Sequence, residues 1–317
     1  MARILLTRPL PPGGDKPLTT TEHEIVRLPD DNLGHADLVE LARNVDAIVC
    51  VLSDRIDRDV LEAGRGRLRA VATVSVGHDN IDVDYATRSG VTVCNTPGVL
   101  DEATADIAFL LLLSAARQAS EAERVLRSQQ WEGWGLTQFL GKDLRDASLG
   151  LVGYGRIGQA VARRAEPFGL VVRHHTRTDT GIPGWTADLD DILATSDFVS
   201  LHVPLNRYTH HLIDRDRLRQ MKPGAVLVNT ARGPIVDEDA LAEALESGHI
   251  FAAGLDVFER EPEINSRLLA APGTVLLPHI GSATEGTRRK MAQMACSGVI
   301  SVLAGEQPAH RVLVQSP

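Results

Sequence analysis

Residues 148–158 read Ser148-Leu149-Gly150-Leu151-Val152-Gly153-Tyr154-Gly155-Arg156-Ile157-Gly158. The first five residues are strand-like, and the last six form the pattern G-x-G-x-x-G. A helical pattern over residues 159–168 ends at Gly169, and a second strand-like run covers residues 170–174. A lone G-x-G-x-x-G is a weak signal, but between a strand and a helix of one βαβ unit it predicts a dinucleotide-binding turn.

The three glycines of the motif have different physical tasks. Gly153 allows a tight turn, Gly155 lets the backbone approach a pyrophosphate, and Gly158 lets the helix pack on the strand. The N-terminus of the helix then offers amide groups and a positive dipole end to the phosphates. A merely glycine-rich turn is the alternative. The predicted cofactor-binding residues of the turn are Gly153, Tyr154, Gly155, Arg156, Ile157 and Gly158.

The end of the second strand indicates which dinucleotide binds. A carboxylate there accepts hydrogen bonds from the ribose 2′-hydroxyl of NAD and repels the 2′-phosphate of NADP. In its place, 18 residues after Gly158, the chain has Thr176 followed by Arg177. Since a guanidinium forms strong charge-assisted pairs with phosphate, this predicts a preference for NADPH over NADH. The alternative is that Arg177 is a solvated loop charge and that NAD and NADH are accepted as well.

Short β-rich runs alternate with helical patterns along the whole chain, which is typical of parallel βαβ units in an α/β protein. Several runs are uniformly apolar, as strands covered on both faces are. Helical patterns starting near Asp101 and over residues 284–304 predict two crossings between two α/β domains, with the ligand site in a cleft between them. The candidate strands are residues 2–7, 47–52, 70–74, 91–94, 149–152, 170–174, 198–202, 225–229, 252–256 and 275–277.

The composition is that of an ordinary folded enzyme. The chain has 317 residues, a length that favours either two domains or one large α/β unit. Its hydrophobic fraction of 43% and charged fraction of 24% are those of ordinary globular proteins. Its formal net charge of -9 repels nucleic acid and anionic membranes, so neither is an expected partner. The longest apolar run starts at Ile107 and reaches only about half of the ~20 residues that a membrane crossing needs.

Neither the cysteines nor the histidines form a metal-binding pattern. Cys50, Cys94 and Cys296 are odd in number and far apart, without C-x-x-C, so we expect buried thiols rather than disulfides or a zinc site. His174 and His175 are adjacent strand residues that point to opposite faces, which disfavours a shared metal. We therefore expect no metal. The N-terminal residues lack a signal-peptide pattern, and a cytoplasmic location is expected.

Three predicted strand ends carry the groups that reduction of a 2-keto acid needs, which are a cation for the carboxylate, a proton donor and a group that orients the donor. Arg232 offers a bidentate contact to a carboxylate. His279 is the natural general acid, and Glu261 is the carboxylate that favours its protonated form. Each residue alone has a common structural explanation. Because successive strand ends of one sheet can converge, we predict that Arg232, Glu261 and His279 are the catalytic residues.

These segments together resemble the D-isomer specific 2-hydroxyacid dehydrogenase family over nearly the whole chain. The shared motifs include the glycine motif and the surroundings of the three predicted catalytic residues, and jointly they are highly specific. The matching stretches outside the glycine motif are Ser75-Val76-Gly77-His78-Asp79-Asn80-Ile81-Asp82, Asn95-Thr96-Pro97-Gly98, Ala105-Asp106, Ser200-Leu201-His202-Val203-Pro204-Leu205, residues 229–233, Ala253-Gly254-Leu255-Asp256-Val257-Phe258 and Pro278-His279-Ile280-Gly281.

The resemblance implies two Rossmann-like parallel-sheet domains, one flavodoxin-like and one dinucleotide-binding, and a homodimer. Residues 99–286 would form the dinucleotide-binding domain, and residues 1–98 and 287–317 the substrate-binding domain. By position, the amides of Val76 and Gly77 would bind the substrate carboxylate beside Arg232, with Leu52 and Ser53 as walls of the pocket. The implied cofactor contacts beyond the glycine motif are Thr104, Val203, Pro204, Thr230, Ala231, Asp256, His279 and Gly281.

Within the family the chain is most similar to glyoxylate/hydroxypyruvate reductases, which implies NADPH-dependent reduction of a small 2-keto acid to the D-2-hydroxy acid. NAD-dependent D-2-hydroxyacid or phosphoglycerate dehydrogenase is the enzymatic alternative. A dinucleotide-sensing, corepressor-like binding protein is the alternative of another class, and the intact set of Arg232, Glu261 and His279 favours an enzyme. The similar stretches are Val51-Leu52-Ser53-Asp54, Thr73-Val74-Ser75-Val76-Gly77 and His279-Ile280-Gly281-Ser282-Ala283-Thr284.

Overall fold

A computed structural model describes residues 1–28 and 33–313 of the chain. The chain divides into two compact units. The terminal unit contains Met1–Leu100 and Ser282–Pro317, and the central unit contains Asp101–Gly281. The second division falls at residues 281/282, earlier than the predicted 286/287. Thr284 caps the helix that follows this division, because its side chain accepts a hydrogen bond from the Thr287 amide (3.1 Å). The roles of the two units as substrate and dinucleotide domains remain predictions.

The terminal unit is built on a sheet of five parallel strands. These are β1 (Arg3–Leu6), β2 (Glu24–Arg27), β3 (Ala47–Cys50), β4 (Ala70–Thr73) and β5 (Thr92–Cys94). Their order in the sheet is β2-β1-β3-β4-β5, the flavodoxin-like order, which reverses between β1 and β3. The helices of this unit are α1 (Lys16–Thr19), α2 (His35–Ala42), α3 (Arg58–Ala63), α4 (Val83–Arg88) and α12 (Glu285–Leu303).

Both faces of the β3 and β4 strands are buried, as their uniformly apolar sequences predicted. On one face, alternate residues such as Ile48 and Val71 pack against apolar residues of α2, α3 and α4. On the other face, the intervening residues Val49 and Ala72 pack against α12. The apolar side of α12 therefore completes the core of the terminal unit.

The central unit is built on a sheet of seven parallel strands. They are β6 (Ser148–Val152), β7 (Val171–His175), β8 (Trp185–Thr186), β9 (Phe198–Leu201), β10 (Ala225–Asn229), β11 (Ile250–Leu255) and β12 (Thr274–Leu276). The order is β12-β11-β10-β9-β6-β7-β8, so the direction of winding reverses between β6 and β9. In doubly wound sheets such a reversal marks the crevice where dinucleotides bind.

Helices cover both faces of the central sheet. One face packs against α5 (Asp101–Ala116) and α7 (Arg156–Ala165), and Gly254 of β11 lets α5 approach, since a Cβ there would lie 2.8 Å from Cβ of Leu111. The opposite face packs against α8 (Leu189–Thr195), α9 (Arg215–Gln220) and α10 (Glu238–Glu246). The remaining α-helices are α6 (Ala119–Arg127) and α11 (Ser266–Ala270), and short 3-10 helices cover Glu166–Phe168 and Gly233–Ile235. The predicted fold class, two parallel-sheet α/β domains, is confirmed.

Two features of the fold bear on the predictions about partners and thiols. Among the described residues, the helices are too short or too polar to traverse a bilayer. Cys50, Cys94 and Cys296 are buried free thiols, as predicted.

Candidate active site

The glycine turn after β6 has the conformation that its sequence predicted. Gly153 has a φ of +95°, and a Cβ on it would lie 2.6 Å from the carbonyl oxygen of His202, so a larger residue does not fit. A Cβ on Gly158 would lie 2.4 Å from the carbonyl oxygen of Gly153, which shows how closely α7 packs on the turn. At Gly155 there is open space within 4 Å. That cradle at the N-terminus of α7 fits a pyrophosphate.

Of the other residues of the motif, Tyr154 and Ile157 are partly buried and Arg156 is exposed. Tyr154 and Ile157 pack against the apolar cluster under α5 and α7, so their side chains anchor the turn. Gly155 is the N-cap residue of α7, and Arg156 is its first residue. The side chains of Tyr154 and Ile157 thus stabilise the cradle from below, and Arg156 leaves a positive charge at its rim.

The loop after β7 carries the predicted readers of the 2′-phosphate. Arg177 is exposed, and in the described parts of the chain it forms no ion pair. The hydroxyl of Thr176 donates a hydrogen bond to the carbonyl of Thr178 (2.7 Å) and accepts one from Nε1 of Trp185 (3.0 Å). The guanidinium is therefore available to an anion, whereas the threonine hydroxyl is engaged within the loop.

The predicted cofactor residues after β9 and β10 lie along the same edge of the sheet. Val203 lies against the glycine turn, with Cγ1 3.0 Å from the position of a Cβ on Gly153, and Pro204 follows it. Thr230 is buried, and within residues 1–28 and 33–313 its Oγ1 has no hydrogen-bond partner. The amide of Ala231 donates to Oδ1 of Asn229 (3.0 Å). A buried hydroxyl of this kind offers a hydrogen bond to a ligand.

Arg232 lies on a short loop that is held from two sides. Nδ2 of Asn229 donates to the carbonyl of Arg232 (2.8 Å), so the end of β10 fixes the loop from below. Gly233 lies directly on the next strand end, because a Cβ there would come within 1.9 Å of the carbonyl carbon of Phe258. The loop that carries Arg232 therefore packs on the segment that carries Glu261.

Glu261 and His279 form a hydrogen-bonded pair between the β11 and β12 strand ends. Oε2 of Glu261 lies 2.8 Å from Nδ1 of His279, and Oε1 accepts the amide of Phe258 (3.0 Å). Burial opposes ionisation of Glu261, but the hydrogen bond and charge of His279, the Phe258 amide and the charge of Arg232 outweigh it and lower the pKa of the carboxyl. Because an ionised carboxylate only accepts hydrogen bonds, Nδ1 donates, and Nε2 of His279 remains for proton transfer.

Asp256 fixes the backbone that carries His279. Its Oδ1 accepts the amide of Ile280 (2.7 Å) and its Oδ2 accepts the amide of Gly281 (2.7 Å). Burial raises the pKa of Asp256, and the two amide hydrogen bonds and the charge of His279 oppose that effect. Thr104 in the first turn of α5 also lies here, with Oγ1 3.6 Å from the position of a Cβ on Gly281. The central unit thus brings Thr104, Asp256, His279 and Gly281 together.

The predicted substrate-binding residues of the terminal unit lie at the carboxyl ends of β3 and β4. The carbonyl of Val76 accepts Nδ2 of Asn95 (2.8 Å), and the carbonyl of Gly77 accepts the hydroxyl of Ser75 (2.6 Å). Leaving aside residues 29–32 and 314–317, which the structure does not describe, the amides of Val76 and Gly77 form no backbone hydrogen bond. Two fixed carbonyls and two available amides suit a carboxylate ligand.

The loop of Leu52 and Ser53 is held by the carboxylate of Asp54. Leu52 is half-buried and Ser53 is exposed. The Asp54 side chain, 1% exposed, pairs with Arg8 (3.0 Å) and accepts the amide of Val51 (2.9 Å). A buried carboxylate with a cation and an amide as partners fixes the loop conformation.

Several of these supporting residues were not predicted from the sequence. Ser75 and Asn95 lie in stretches that match the family, but their hydrogen bonds to the carbonyls of Gly77 and Val76 could not be predicted from those motifs. Arg8 and Asp54 form an ion pair because β1 and β3 are neighbours in the sheet. Local sequence does not reveal that strand order. Trp185 lies in the two-residue strand β8, too short for a periodic signal.

Comparison with known proteins adds independent findings. The model of the family described as D-isomer specific 2-hydroxyacid dehydrogenase, NAD binding domain, matches residues 109–281. A glyoxylate reductase of Thermococcus onnurineus (strain NA1) is 45% identical over 317 aligned residues, which cover 96% of this chain and 94% of the relative. A second glyoxylate reductase, of Thermococcus litoralis, is 43% identical over 320 residues, covering 98% of this chain and 96% of that relative.

A solved structure that names its coenzyme is also similar. The NADPH-dependent glyoxylate/hydroxypyruvate reductase of Sinorhizobium meliloti was crystallised with citrate and, separately, with NADP and malonate. Both structures have a TM-score of 0.87 and 35% sequence identity, and they cover 98% of this chain and 98% and 96% of the respective chains.

Proposed function

Because the chain belongs to the D-isomer specific 2-hydroxyacid dehydrogenase family, we propose that it reduces a small 2-keto acid, glyoxylate or hydroxypyruvate, with NADPH as the preferred coenzyme. The product is the 2-hydroxy acid, of D configuration where it is chiral. The chain is a nicotinamide-dependent oxidoreductase. The observation that carries the proposal is the 2.8 Å hydrogen bond between His279 and Glu261. The segment after β11 that carries Glu261 also packs against the loop of Arg232.

In the proposed reaction, each of the three residues has one task. Arg232 binds the substrate carboxylate through its guanidinium. His279 donates the proton on Nε2 to the carbonyl oxygen as that oxygen becomes a hydroxyl, and Glu261 keeps the ring oriented and stabilises its charged form. When bound, the reduced nicotinamide supplies the hydride that completes the reduction. In the reverse direction, neutral His279 takes the hydroxyl proton.

The proposal assigns the remaining substrate contacts to the terminal unit. The amides of Val76 and Gly77, whose carbonyls are fixed by Asn95 and Ser75, bind the substrate carboxylate. Leu52 and Ser53 line the substrate on the neighbouring strand end. Their positions depend on the buried pair of Arg8 and Asp54.

The proposal assigns the coenzyme to the central unit. The cradle at Gly155 and the N-terminus of α7 hold the pyrophosphate, and Arg177 pairs with the 2′-phosphate. The complex of the Sinorhizobium relative with NADP supports this coenzyme class, and NADH is the weaker alternative. The further residues proposed to contact the coenzyme are Thr104, Val203, Pro204, Thr230, Ala231, Asp256, His279 and Gly281.

A homodimer is part of the proposal, and an exposed apolar segment supports it. From the end of α6 into the segment that precedes β6, the chain exposes large hydrophobic side chains on residues 126–140, which we call the apolar arm. Such a concentration is unusual for a surface that meets only water and is typical of an interface. The side chains are Leu126 (60% exposed), Trp131 (50%), Trp134 (80%), Leu136 (78%) and Leu140 (61%).

The test is the initial rate of glyoxylate reduction, followed at 340 nm, with NADPH and NADH at equal concentrations and with hydroxypyruvate assayed beside glyoxylate. We expect turnover with both acids, a higher kcat/KM with NADPH, and a loss of about 10²-fold or more in kcat for His279→Asn. Binding of dinucleotide without turnover of either acid, in wild type as in H279N, would overturn the proposal in favour of a dinucleotide sensor.

A further inference from the structure

The loop between β7 and β8 is shaped by a tryptophan. Nε1 of Trp185 donates to the hydroxyl of Thr176 (3.0 Å) and lies 3.2 Å from the carbonyl oxygen of the same residue. Since the Thr176 hydroxyl donates its own hydrogen to the carbonyl of Thr178 (2.7 Å), it has none left for a phosphate. Thr176 therefore shapes the loop that carries Arg177, and the indole fixes Thr176.

The far end of the same loop is fixed to the glycine turn. The buried ring of His174 stacks on Tyr154, with centroids 3.7 Å apart and planes 18° apart. Nε2 of His174 lies 2.8 Å from the hydroxyl of Thr180, which also accepts the amide of Ile182 (3.2 Å). The loop is thus held at Thr176 by Trp185 and at Thr180 by a histidine that contacts the proposed pyrophosphate cradle.

We propose that Trp185 is a positioning residue for coenzyme selection, which holds the loop of residues 176–180 so that Arg177 pairs with a 2′-phosphate. This inference rests on the proposed function. Arg177 is an exposed, flexible cation, and a fixed loop lowers the conformational entropy that it loses on pairing with the phosphate. The effect is specific for ligands that carry a 2′-phosphate, because the pyrophosphate binds at a different segment.

The experiment measures binding of two fragments, adenosine 2′,5′-bisphosphate and 5′-AMP, to the full-length protein by calorimetry. We expect Trp185→Phe to weaken binding of the bisphosphate about fivefold or more, as for the loss of one hydrogen bond, and binding of 5′-AMP less than twofold. Thr176→Val removes the hydroxyl that accepts this hydrogen bond, together with its bond to the carbonyl of Thr178, and should also weaken binding of the bisphosphate selectively. Thr195→Val, at an exposed threonine of the same unit that accepts a hydrogen bond from Arg173 (2.7 Å), is the matched control and should change neither.

Other outcomes separate the inference from the proposed function. Wild-type protein that binds both fragments equally would overturn the NADPH preference and the inference with it. If Arg177→Gln abolishes the preference for the bisphosphate while Trp185→Phe and Thr176→Val retain it, the proposed coenzyme stands and the inference is overturned. An equal loss for both fragments in Trp185→Phe, with a lower melting temperature than that of T195V, also overturns it, because Trp185 would then only stabilise the fold.

Discussion

Oε2 of Glu261 lies 2.8 Å from Nδ1 of His279, and the backbone of His279 has a φ of +53°. Residues with a side chain rarely adopt this left-handed conformation, and they persist in it where the surroundings fix them. Here Asp256 fixes the two amides that follow, those of Ile280 and Gly281. The orientation of the imidazole is therefore set twice, by the carboxylate at Nδ1 and by a buried aspartate beneath the backbone.

Replacing Glu261 by glutamine tests that pairing. The glutamine side chain would keep the size of the original but lose the charge that stabilises protonated His279, so we expect kcat for glyoxylate to fall by about 10²-fold. Because the pKa of Glu261 is lowered, the carboxylate is ionised throughout the neutral pH range, and the loss should persist across that range in steady-state assays.

Glu263→Gln is the matched control for this experiment. Glu263 is exposed on the same loop, two residues further along the chain, and its replacement should leave kcat unchanged. Equal kcat values for E261Q and wild type would remove Glu261 from the proposed mechanism. In a His279→Asn background, E261Q should add little further loss, since the two residues act as a unit.

Alanine substitutions in the glycine turn can separate effects on the stability of the fold from effects on coenzyme binding. A Cβ on Gly155 has no atom within 4 Å, so we expect Gly155→Ala to change the melting temperature little. NADPH binding should weaken at least tenfold, because the methyl group occupies the cradle. Gly158→Ala meets the Gly153 carbonyl oxygen at 2.4 Å and should destabilise the fold by about 1–3 kcal/mol. Thermal unfolding and calorimetric titration distinguish the two.

Gly286→Ala serves as the control for both variants. Gly286 lies in the first turn of α12 with open space around it, so alanine there should be neutral or slightly stabilising. If G155A binds NADPH as tightly as wild type does, the pyrophosphate does not bind at Gly155, and that part of the proposed function is wrong.

Features formed by contiguous residues were predicted from the sequence, whereas features formed by short edge strands or by distant residues were not. The β6 turn and α7 were predictable because strand, glycines and helix are contiguous, and the helix of residues 284–304 was found as α12, Glu285–Leu303. The strands β2 and β8 were missed, since edge strands of four and two residues carry weak alternation. The pair of Glu261 and His279 was predicted from residue type and motif. The backbone of His279 is held by Asp256, 23 residues earlier, and the two residues meet because β11 and β12 are neighbours in the sheet.

The apolar arm predicts the oligomeric state. We expect wild-type protein to have a light-scattering mass near twice the chain mass of 34.3 kDa. Replacing both Trp134 and Leu136 by serine removes two of the most exposed apolar side chains and should shift the mass toward one chain. Leu269→Ser, at an exposed leucine of the central unit outside the arm, should leave the mass unchanged. A wild-type mass near 34.3 kDa would contradict the homodimer.

His202 predicts how stability depends on pH. Desolvation lowers the pKa of His202 from 6.5 to about 4, and its Nε2 contacts the hydroxyl of Ser200 (2.9 Å). Between these two values the unfolded chain binds a proton that the folded protein excludes, so stability falls as pH decreases through 6.5 toward 4. From pH 7.5 to 5 this histidine should cost about 2 kcal/mol of the free energy of unfolding.

His202→Asn can keep a hydrogen bond to Ser200 and cannot titrate, so its melting temperature should fall less than that of wild type over the same pH range. His210→Asn, at an exposed histidine eight residues further along the chain, should keep the full wild-type dependence. Thermal unfolding of the three proteins at pH 7.5 and pH 5 is the measurement. Parallel losses in wild type and H202N would mean that the ring of His202 accepts a proton in the folded protein as readily as in the unfolded chain, and that its burial beside the glycine turn does not control the acid stability of the central unit.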